Sequence, residues 1–352
     1  MRIGILTYHF SYNFGAMIQA FALRTAIKDI VSPDDVVEII NYKPASFQNE
    51  GEGSLDERVL RRGEKRERFL EEKCGIQGIR ISNIYHVPEY DYYITGSDQV
   101  WNPNLPVYDE TSEYFLDFVK DGKIKISYAA SIGEDVSKGI NTTLFERNIP
   151  KFDYLSVREQ SHIPFVEQFT DKKCMGVLDP TFLIDKKIYE QMMPFRKKEK
   201  DHILCVTYNM KSRRRIYDVA NRYAILNHLK VMHMDTEVSP YMFLNEEETL
   251  NYEGIEEILW AIKNARLIIT DSFHFMVFSI IFHKPFYLMP SARNVRVLDL
   301  LQYLKLEDRI LRDNIKLQDL DENIDYKEID KLIADKKNIS IEFLKTALNI
   351  VS

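Results

Sequence analysis

The chain has 352 residues, 45% of them apolar and 29% charged, the balance of a globular protein long enough for two domains. Acidic side chains outnumber basic ones, 54 to 47, for a formal net charge of −7, which argues against nucleic acid as a partner. An anionic small molecule can still be held if positive charge is gathered locally.

Residues 2–7 (RIGILT) form an apolar run that reads as a buried strand. A loop of Tyr, His, Ser and Asn follows, and Gly15 opens a helix with Ala16, Ala20, Leu23 and Ile27 near one face. A second strand is expected at 36–42 (VVEIINY), a charged helix at about 55–73, a third strand at 90–95 and a fourth at 124–130 (IKISYAA). Helical and strand segments then alternate through LSVRE and VLDPTFLI. Residues 185–202 turn polar and basic and read as a linker. The rhythm then restarts: strand 203–208, helix 212–227, strand 229–234, helix 254–264, strand 266–270, a helix from 273, strand 285–289 and a helix at 296–304. Strands alternating with helices imply parallel sheets covered on both faces. The expected fold class is therefore α/β with two Rossmann-like lobes. Residues 1–190 form the first domain and 200–325 the second, and a helical tail over 326–352 packs back on the first.

Three cysteines, Cys74, Cys174 and Cys205, with no CxxC spacing, suggest neither a disulfide framework nor a zinc ribbon. They fit a reducing compartment. The opening MRIGILTYHFSYNFG turns polar within a few residues, unlike a secretory signal. No apolar run approaches the ~20 residues of a membrane span, so a cytoplasmic location is expected.

Ligands of open α/β sheets bind beyond the carboxyl ends of the strands, and four polar stretches follow strands here. After the first strand come Tyr8, His9, Phe10, Ser11, Tyr12, Asn13, Phe14 and Gly15. Gly15 would let the backbone approach a ligand, with the helix N–H groups open to an anion; the plainer reading is a capping Asn13 and a turn glycine. In Gly96-Ser97-Asp98-Gln99-Val100-Trp101-Asn102-Pro103, Asp98 suits a base or a sugar hydroxyl and Trp101 suits stacking on a sugar ring, against an Asx turn closed by proline. Arg158, in Ser156-Val157-Arg158-Glu159, suits a bidentate grip on phosphate or carboxylate. The competing reading of Arg158 is an ion pair with Glu159 or another carboxylate. In Thr270-Asp271-Ser272-Phe273-His274, Ser272 reads as a helix cap and His274 as a first-turn histidine able to carry a proton.

Weaker signals favour plain readings. Lys211, Arg213, Arg214 and Arg215 read as a solvated basic helix start, with an acceptor diphosphate as the alternative. Arg58, Arg61, Arg62, Lys65, Arg66 and Arg68, interleaved with glutamates, read as an ion-paired surface helix, with contact to the cytoplasmic face of a membrane as the lesser alternative. His283-Lys284-Pro285 reads as a helix end, and the histidines show no metal-ligand spacing.

Together, YNFGAMIQAFAL (12–23), ITGSDQVWNP (94–103), SYAASIG (127–133), LSVRE (155–159), VLDPTFLI (177–184) and ITDSFHFMVFSIIFHKPF (269–286) resemble the polysaccharide pyruvyl transferase family. One departure is Phe275, where the family commonly has glycine; a ring there is expected to narrow the pocket or alter acceptor choice. The resemblance implies a fold similar to B-type glycosyltransferases with the active site in the cleft between lobes. It also implies phosphoenolpyruvate as donor and a cyclic pyruvate ketal on a sugar of a bacterial surface polysaccharide, capsule or exopolysaccharide, as product. The expected acceptor is a lipid-diphosphate-linked oligosaccharide, with no metal and no cofactor beyond the donor. Arg158 and His274 are the residues to which the resemblance points most directly, with Asp98 as the third catalytic candidate. Tyr8, His9, Asn13, Gly15, Gln19, Ser97, Trp101, Asn102, Ser131, Asp271 and Ser272, all in or beside the matching segments, are the substrate-binding candidates. In this scheme Arg158 and the helix start at Gly15 receive the donor anion, His274 is the acid–base group or phosphate clamp, and Asp98 positions the sugar hydroxyls. Two other readings remain: a nucleotide-sugar-dependent glycosyltransferase of the same shape, and a sugar-binding scaffold without turnover.

Overall fold

The computed structural model describes residues 1–11, 13–44, 56–76, 80–105, 113–196, 201–235, 247–289, 295–312, 317, 320 and 322–350. Tyr12 of the first polar loop and residues 197–200 of the expected linker lie outside them. The chain divides into two compact units, one made of Met1–Ser54, Arg66–Ile184 and Leu332–Ser352, the other of Leu55–Lys65 and Asp185–Lys331.

The first unit begins with β1 (Arg2–Leu6), α1 (Phe14–Lys28) and β2 (Val36–Ile39), after which α2 (Glu57–Glu72) carries the chain from the second unit back into the first. β3 (Tyr92–Gly96), β4 (Ile124–Tyr128), α3 (Thr143–Asn148), β5 (Leu155–Val157), α4 (Ile163–Val166) and β6 (Cys174–Gly176) follow. The main sheet is parallel, in the order β2-β1-β3-β4. β5 pairs with β6 and lies along β4 through bridges from Ile126 to Tyr154 and from Ala130 to Val157. β2 and β3 flank β1 on opposite sides, so the strand order reverses at β1/β3. That is where an open sheet leaves a crevice at its carboxyl edge, and both of the first two polar loops emerge there.

The second unit holds α5 (Lys186–Met192), β7 (His202–Thr207), α6 (Met210–Asn227), β8 (Lys230–Asp235) and β9 (Glu247–Thr249). α7 (Ile255–Asn264), β10 (Leu267–Thr270), α8 (Phe273–Ile281), β11 (Phe286–Leu288) and α9 (Val295–Leu304) complete it. Its sheet is parallel throughout, in the order β11-β10-β7-β8-β9, and reverses between β7 and β10. β7 is buried along its whole length, which is why it reads as an unbroken apolar run. α8 is buried from Phe273 to Ile280, as expected of a helix that is apolar all round. Phe275 is among these residues and fully buried in the core, so its ring has no solvent-facing surface with which to narrow a pocket. His283 lies in the left-handed region just beyond α8 and stacks on Tyr326 at 4.3 Å, so the helix end is where the sequence suggests.

α10 (Tyr326–Ala347) starts in the second unit and ends in the first. Ser340 Oγ accepts a hydrogen bond from Leu178 N at 3.0 Å, and Phe343 packs near Tyr128. The basic helix α2 is not a free charged surface. Lys65 pairs with Glu253 and, at 2.9 Å, with Glu257, while Arg66 is buried. No helix among the described residues is long and apolar enough to cross a membrane.

Candidate active site

The carboxyl edge of the first sheet carries Tyr8 after β1, Asp98 after β3 and Arg158 after β5. The turn after β3 needs its glycine: Gly96 has φ +111°, and a Cβ there would lie 2.2 Å from the Tyr128 carbonyl oxygen. Asp98 follows with φ +69°, a left-handed conformation that costs a side-chain-bearing residue about 1–2 kcal/mol. The strain is held in place because the Asp98 carbonyl accepts from Val100 N at 2.8 Å and Ser131 N at 2.9 Å. Only 8% of Asp98 is exposed, yet among the described residues no group hydrogen-bonds its carboxylate. Its charge acts on both Tyr8 and Arg158. Burial, and then Asp98, push the Tyr8 hydroxyl well above the ordinary tyrosine range, so it stays protonated. A buried carboxylate without a bonding partner on a strained backbone is a mark of a functional site.

Most of the other polar residues expected to touch substrate are instead supports. Trp101 is a correction: it is 0% exposed, stacked on Phe115 at 5.5 Å and 10°, edge-on to Phe145 and Phe152, with Nε1 donating to Tyr114 O. With its ring faces covered by other aromatics, it cannot stack on a sugar. His9 is likewise corrected: it is fully buried, with Nδ1 3.1 Å from Thr7 O and Nε2 3.4 Å from the Asn41 amide. Burial lowers its pKa to about 4, leaving a neutral ring committed to the fold. Asn13 caps α1, accepting from Gly15 N at 2.8 Å and Ala16 N at 3.3 Å, and Met17 N bonds Asn13 O. Those N–H groups are therefore spent, and the helix start at Gly15 does not offer them to an anion.

Gln19 ties the helix to the strand, donating to Thr7 Oγ1 at 2.8 Å. Ser97 Oγ lies 3.3 Å from Ala129 O and from Asp179 Oδ2. Asn102 donates to Gln99 Oε1 at 2.7 Å and accepts from Asn104 N at 2.9 Å, under Gly133, whose φ of +75° leaves no room for a Cβ. Ser131 clamps the loop through its backbone and donates its hydroxyl to Glu159 at 2.8 Å. Gln19, Ser97, Asn102 and Ser131 thus each bond within the first unit, around the loop that presents Asp98.

Arg158 is held by two carboxylates, with Nε 3.1 Å from Glu159 Oε1 and Nη1 2.8 Å from Asp179 Oδ2. The ion-pair reading of Arg158 is therefore what the fold contains, and its side chain is only 4% exposed. Burial works against charge here, but Glu159, Asp179 and Asp98 together outweigh it and keep the guanidinium protonated. Burial would also raise the pKa of Glu159. Hydrogen bonds from His162 and Ser131 and the charges of Arg158 and His162 overcome that and hold it at about 2. Asp179 is fixed in turn by Thr181, whose hydroxyl is 2.7 Å and whose N–H is 3.1 Å from Oδ1.

In the second unit, Asp271 and His274 follow β10, beside the end of β7. Asp271 is a correction. It accepts from Thr207 Oγ1 (2.7 Å), Tyr208 N (2.8 Å), Asn209 N (3.1 Å) and Ser212 Oγ (2.6 Å), so it knits the β7–α6 turn rather than facing a ligand. Ser272 sits at the start of α8 with its hydroxyl making no cap bond. His274 is in the first turn, buried, with its ring edge-on to Phe273. At the start of α6, Arg213 is buried rather than solvated, which corrects that reading, while Lys211 and Arg214 are exposed.

Residues 13–292 match the family model described as polysaccharide pyruvyl transferase. The chain belongs to the polysaccharide pyruvyl transferases. No curated protein sequence matches it. Its fold is that of solved sugar-nucleotide enzymes. The MnaA–UDP complex of S. aureus superposes with a TM-score of 0.53 at 11% identity, covering 99% of this chain and 97% of that one. UDP-GlcNAc 2-epimerase of Neisseria meningitidis, bound to UDP-GlcNAc, gives 0.52 at 11%, covering 98% and 100%. A Listeria monocytogenes protein described as a UDP-N-acetylglucosamine 2-epimerase gives 0.52 at 8%, covering 100% and 97%. These likenesses show an α/β fold of the B-type glycosyltransferase kind, with parallel sheets.

Within this pyruvyl transferase, the sequence names Glu159 as an ion-pair partner of Arg158 but does not single out His162 and Asp179 as members of the cluster. Asp179 lies in the segment VLDPTFLI. His162, three residues beyond Glu159, carries no signal of its own in the sequence.

Proposed function

We propose that this pyruvyl transferase moves the pyruvyl group of phosphoenolpyruvate onto a sugar of a bacterial surface polysaccharide, or of its lipid-linked precursor, to form a cyclic ketal. A proton adds to the methylene carbon and leaves an oxocarbenium-like centre at C2. One sugar hydroxyl adds there and loses its proton, and a second hydroxyl of the same sugar then displaces phosphate. The products are the ketal and inorganic phosphate. Arg158 would hold the donor anion, Asp98 would receive the proton of the attacking hydroxyl, Tyr8 and Ser272 would orient substrate groups, and His274 would act as acid or phosphate clamp. The exposed Lys211 and Arg214 suit an acceptor that carries a diphosphate. The observation that carries the reading is Asp98: a nearly buried carboxylate on a strained backbone, with no hydrogen bond to it among the described residues, whose charge acts on the fixed Arg158 guanidinium.

The experiment is acceptor-dependent phosphate release from phosphoenolpyruvate, with mass spectrometry of the acceptor for a pyruvyl gain. Arg158→Ala and His274→Ala should each lower the rate by about 10²–10⁴-fold with the far-ultraviolet spectrum retained. Absence of turnover with both lipid-linked and polymeric acceptors would sink the proposal. The alternative, a nucleotide-sugar-dependent glycosyltransferase, draws on a fold shared with enzymes solved with UDP and UDP-GlcNAc. Thermal stabilisation by UDP-GlcNAc but not by phosphoenolpyruvate would favour it.

A further inference from the structure

We infer that Glu159 and His162 are positioning residues, which fix the plane of the Arg158 guanidinium through a buried chain of polar contacts that ends on the carbonyl of Glu134. The inference rests on the reading of Arg158 as the donor-binding group. Arg158 is anchored at two separate nitrogens, Nε on Glu159 and Nη1 on Asp179, so neither the position nor the tilt of its plane is free. Glu159 is more than a counter-ion. Its Oε1 also takes the Ser131 hydroxyl at 2.8 Å, and its Oε2 faces His162 Nδ1 at 3.3 Å. His162 Nε2 in turn lies 2.9 Å from Glu134 O. Both imidazole nitrogens thus face acceptors, a geometry that a doubly protonated ring satisfies and a neutral ring leaves half met.

Burial points the same way. His162 stands behind Glu159, where the side chains of both are 1% exposed and out of reach of substrate. A cluster built only for stability would gain little from this arrangement, because buried ion pairs roughly break even against apolar packing. A linear chain that dictates one orientation is what preorganised binding requires.

The test follows Arg158 directly. In protein labelled with ¹⁵N-arginine, the Nε–Hε resonance lost in Arg158→Lys identifies the group. His162→Ala, and Glu159→Ala as the second variant, should shift or broaden that resonance. His162→Gln, which keeps a donor towards Glu159, should restore it in part. In turnover, His162→Ala should raise the KM for phosphoenolpyruvate at least about tenfold while kcat changes less than about threefold. An unchanged resonance in both folded alanine variants overturns the positioning role, whatever the activity. A resonance that responds in protein whose wild type does not turn over phosphoenolpyruvate leaves the positioning role standing and removes the donor reading instead. A responding resonance with an unchanged KM for the donor overturns the link between positioning and binding.

Discussion

Asp98 separates backbone strain from chemistry, and three substitutions can measure each. At φ +69° alanine pays the left-handed penalty of roughly 1–2 kcal/mol, whereas glycine pays none but loses about 0.5–1 kcal/mol through the freedom of its unfolded chain. Asparagine tolerates the region and keeps the side-chain volume. The bonds from Val100 N and Ser131 N to the Asp98 carbonyl hold the conformation in every variant, so the backbone cannot relax away from the cost. Stability in urea should therefore run Asn and Gly above Ala by about 1 kcal/mol, which is about 2–4 °C in Tm for a unit of this size. Activity should ignore that order. All three variants lack the carboxylate, and acceptor-dependent phosphate release should fall by about 10²–10⁴-fold in each. Asp98→Asn turning over within a few-fold of wild type would refute a catalytic carboxylate. Equal stability of the Ala and Gly variants would refute the strained backbone.

Acid should destabilise the protein in two windows. The fold depresses His9 from 6.5 to about 4, so its contribution is complete above 6.5 and is lost as pH falls towards 4. Glu159 is depressed from 4.5 to about 2, so its contribution of roughly 3 kcal/mol is present above 4.5 and is lost as pH falls towards 2. Urea midpoints against pH should show Glu159→Gln flattening only the lower window, and a change confined to pH above 4.5 would contradict this. Trp101→Ala should cost about 3–5 kcal/mol in denaturation as a core deletion; a marginal loss of stability with a raised acceptor KM would show the ring to be a sugar platform after all. Asp271→Ala removes the acceptor of four hydrogen bonds, although the Thr207 and Ser212 hydroxyls and Asn209 N keep second contacts, so the cost should be about 1–3 kcal/mol, and an unchanged Tm would contradict its bracing role.

The parallel architecture was legible because a strand covered on both faces must be apolar throughout. Ile3, Ile5 and Leu6, and all of β7, announce themselves in this way. β9 was not expected, since Glu247–Thr249 has no apolar run and is a strand only because it pairs with β8. The cap at Asn13 was legible too, because its partners lie two and three residues on. The site was less so. A polar loop at the end of a buried strand must first satisfy its own backbone and neighbours, and the partners doing so are remote in sequence: Ser131 for Asp98, Tyr208 for Asp271, Asp179 for Ser97. From sequence, a ligand-facing serine and a bracing serine look alike. The same holds for Trp101, whose burial depends on Phe115, Phe145 and Phe152.

What separates Asp98 from these braces is that its carbonyl is bonded twice while, among the described residues, its carboxylate accepts no hydrogen bond, a property of the folded chain alone. The cluster behind Arg158 follows the same logic. Glu159 looks like a simple neighbour of Arg158 until His162 is seen on its far oxygen. In the proposed reaction, residues bonded within the fold support the site and Asp98 at the sheet's carboxyl edge would carry the chemistry, with anion recognition resting on how firmly Glu159 and Asp179 hold Arg158.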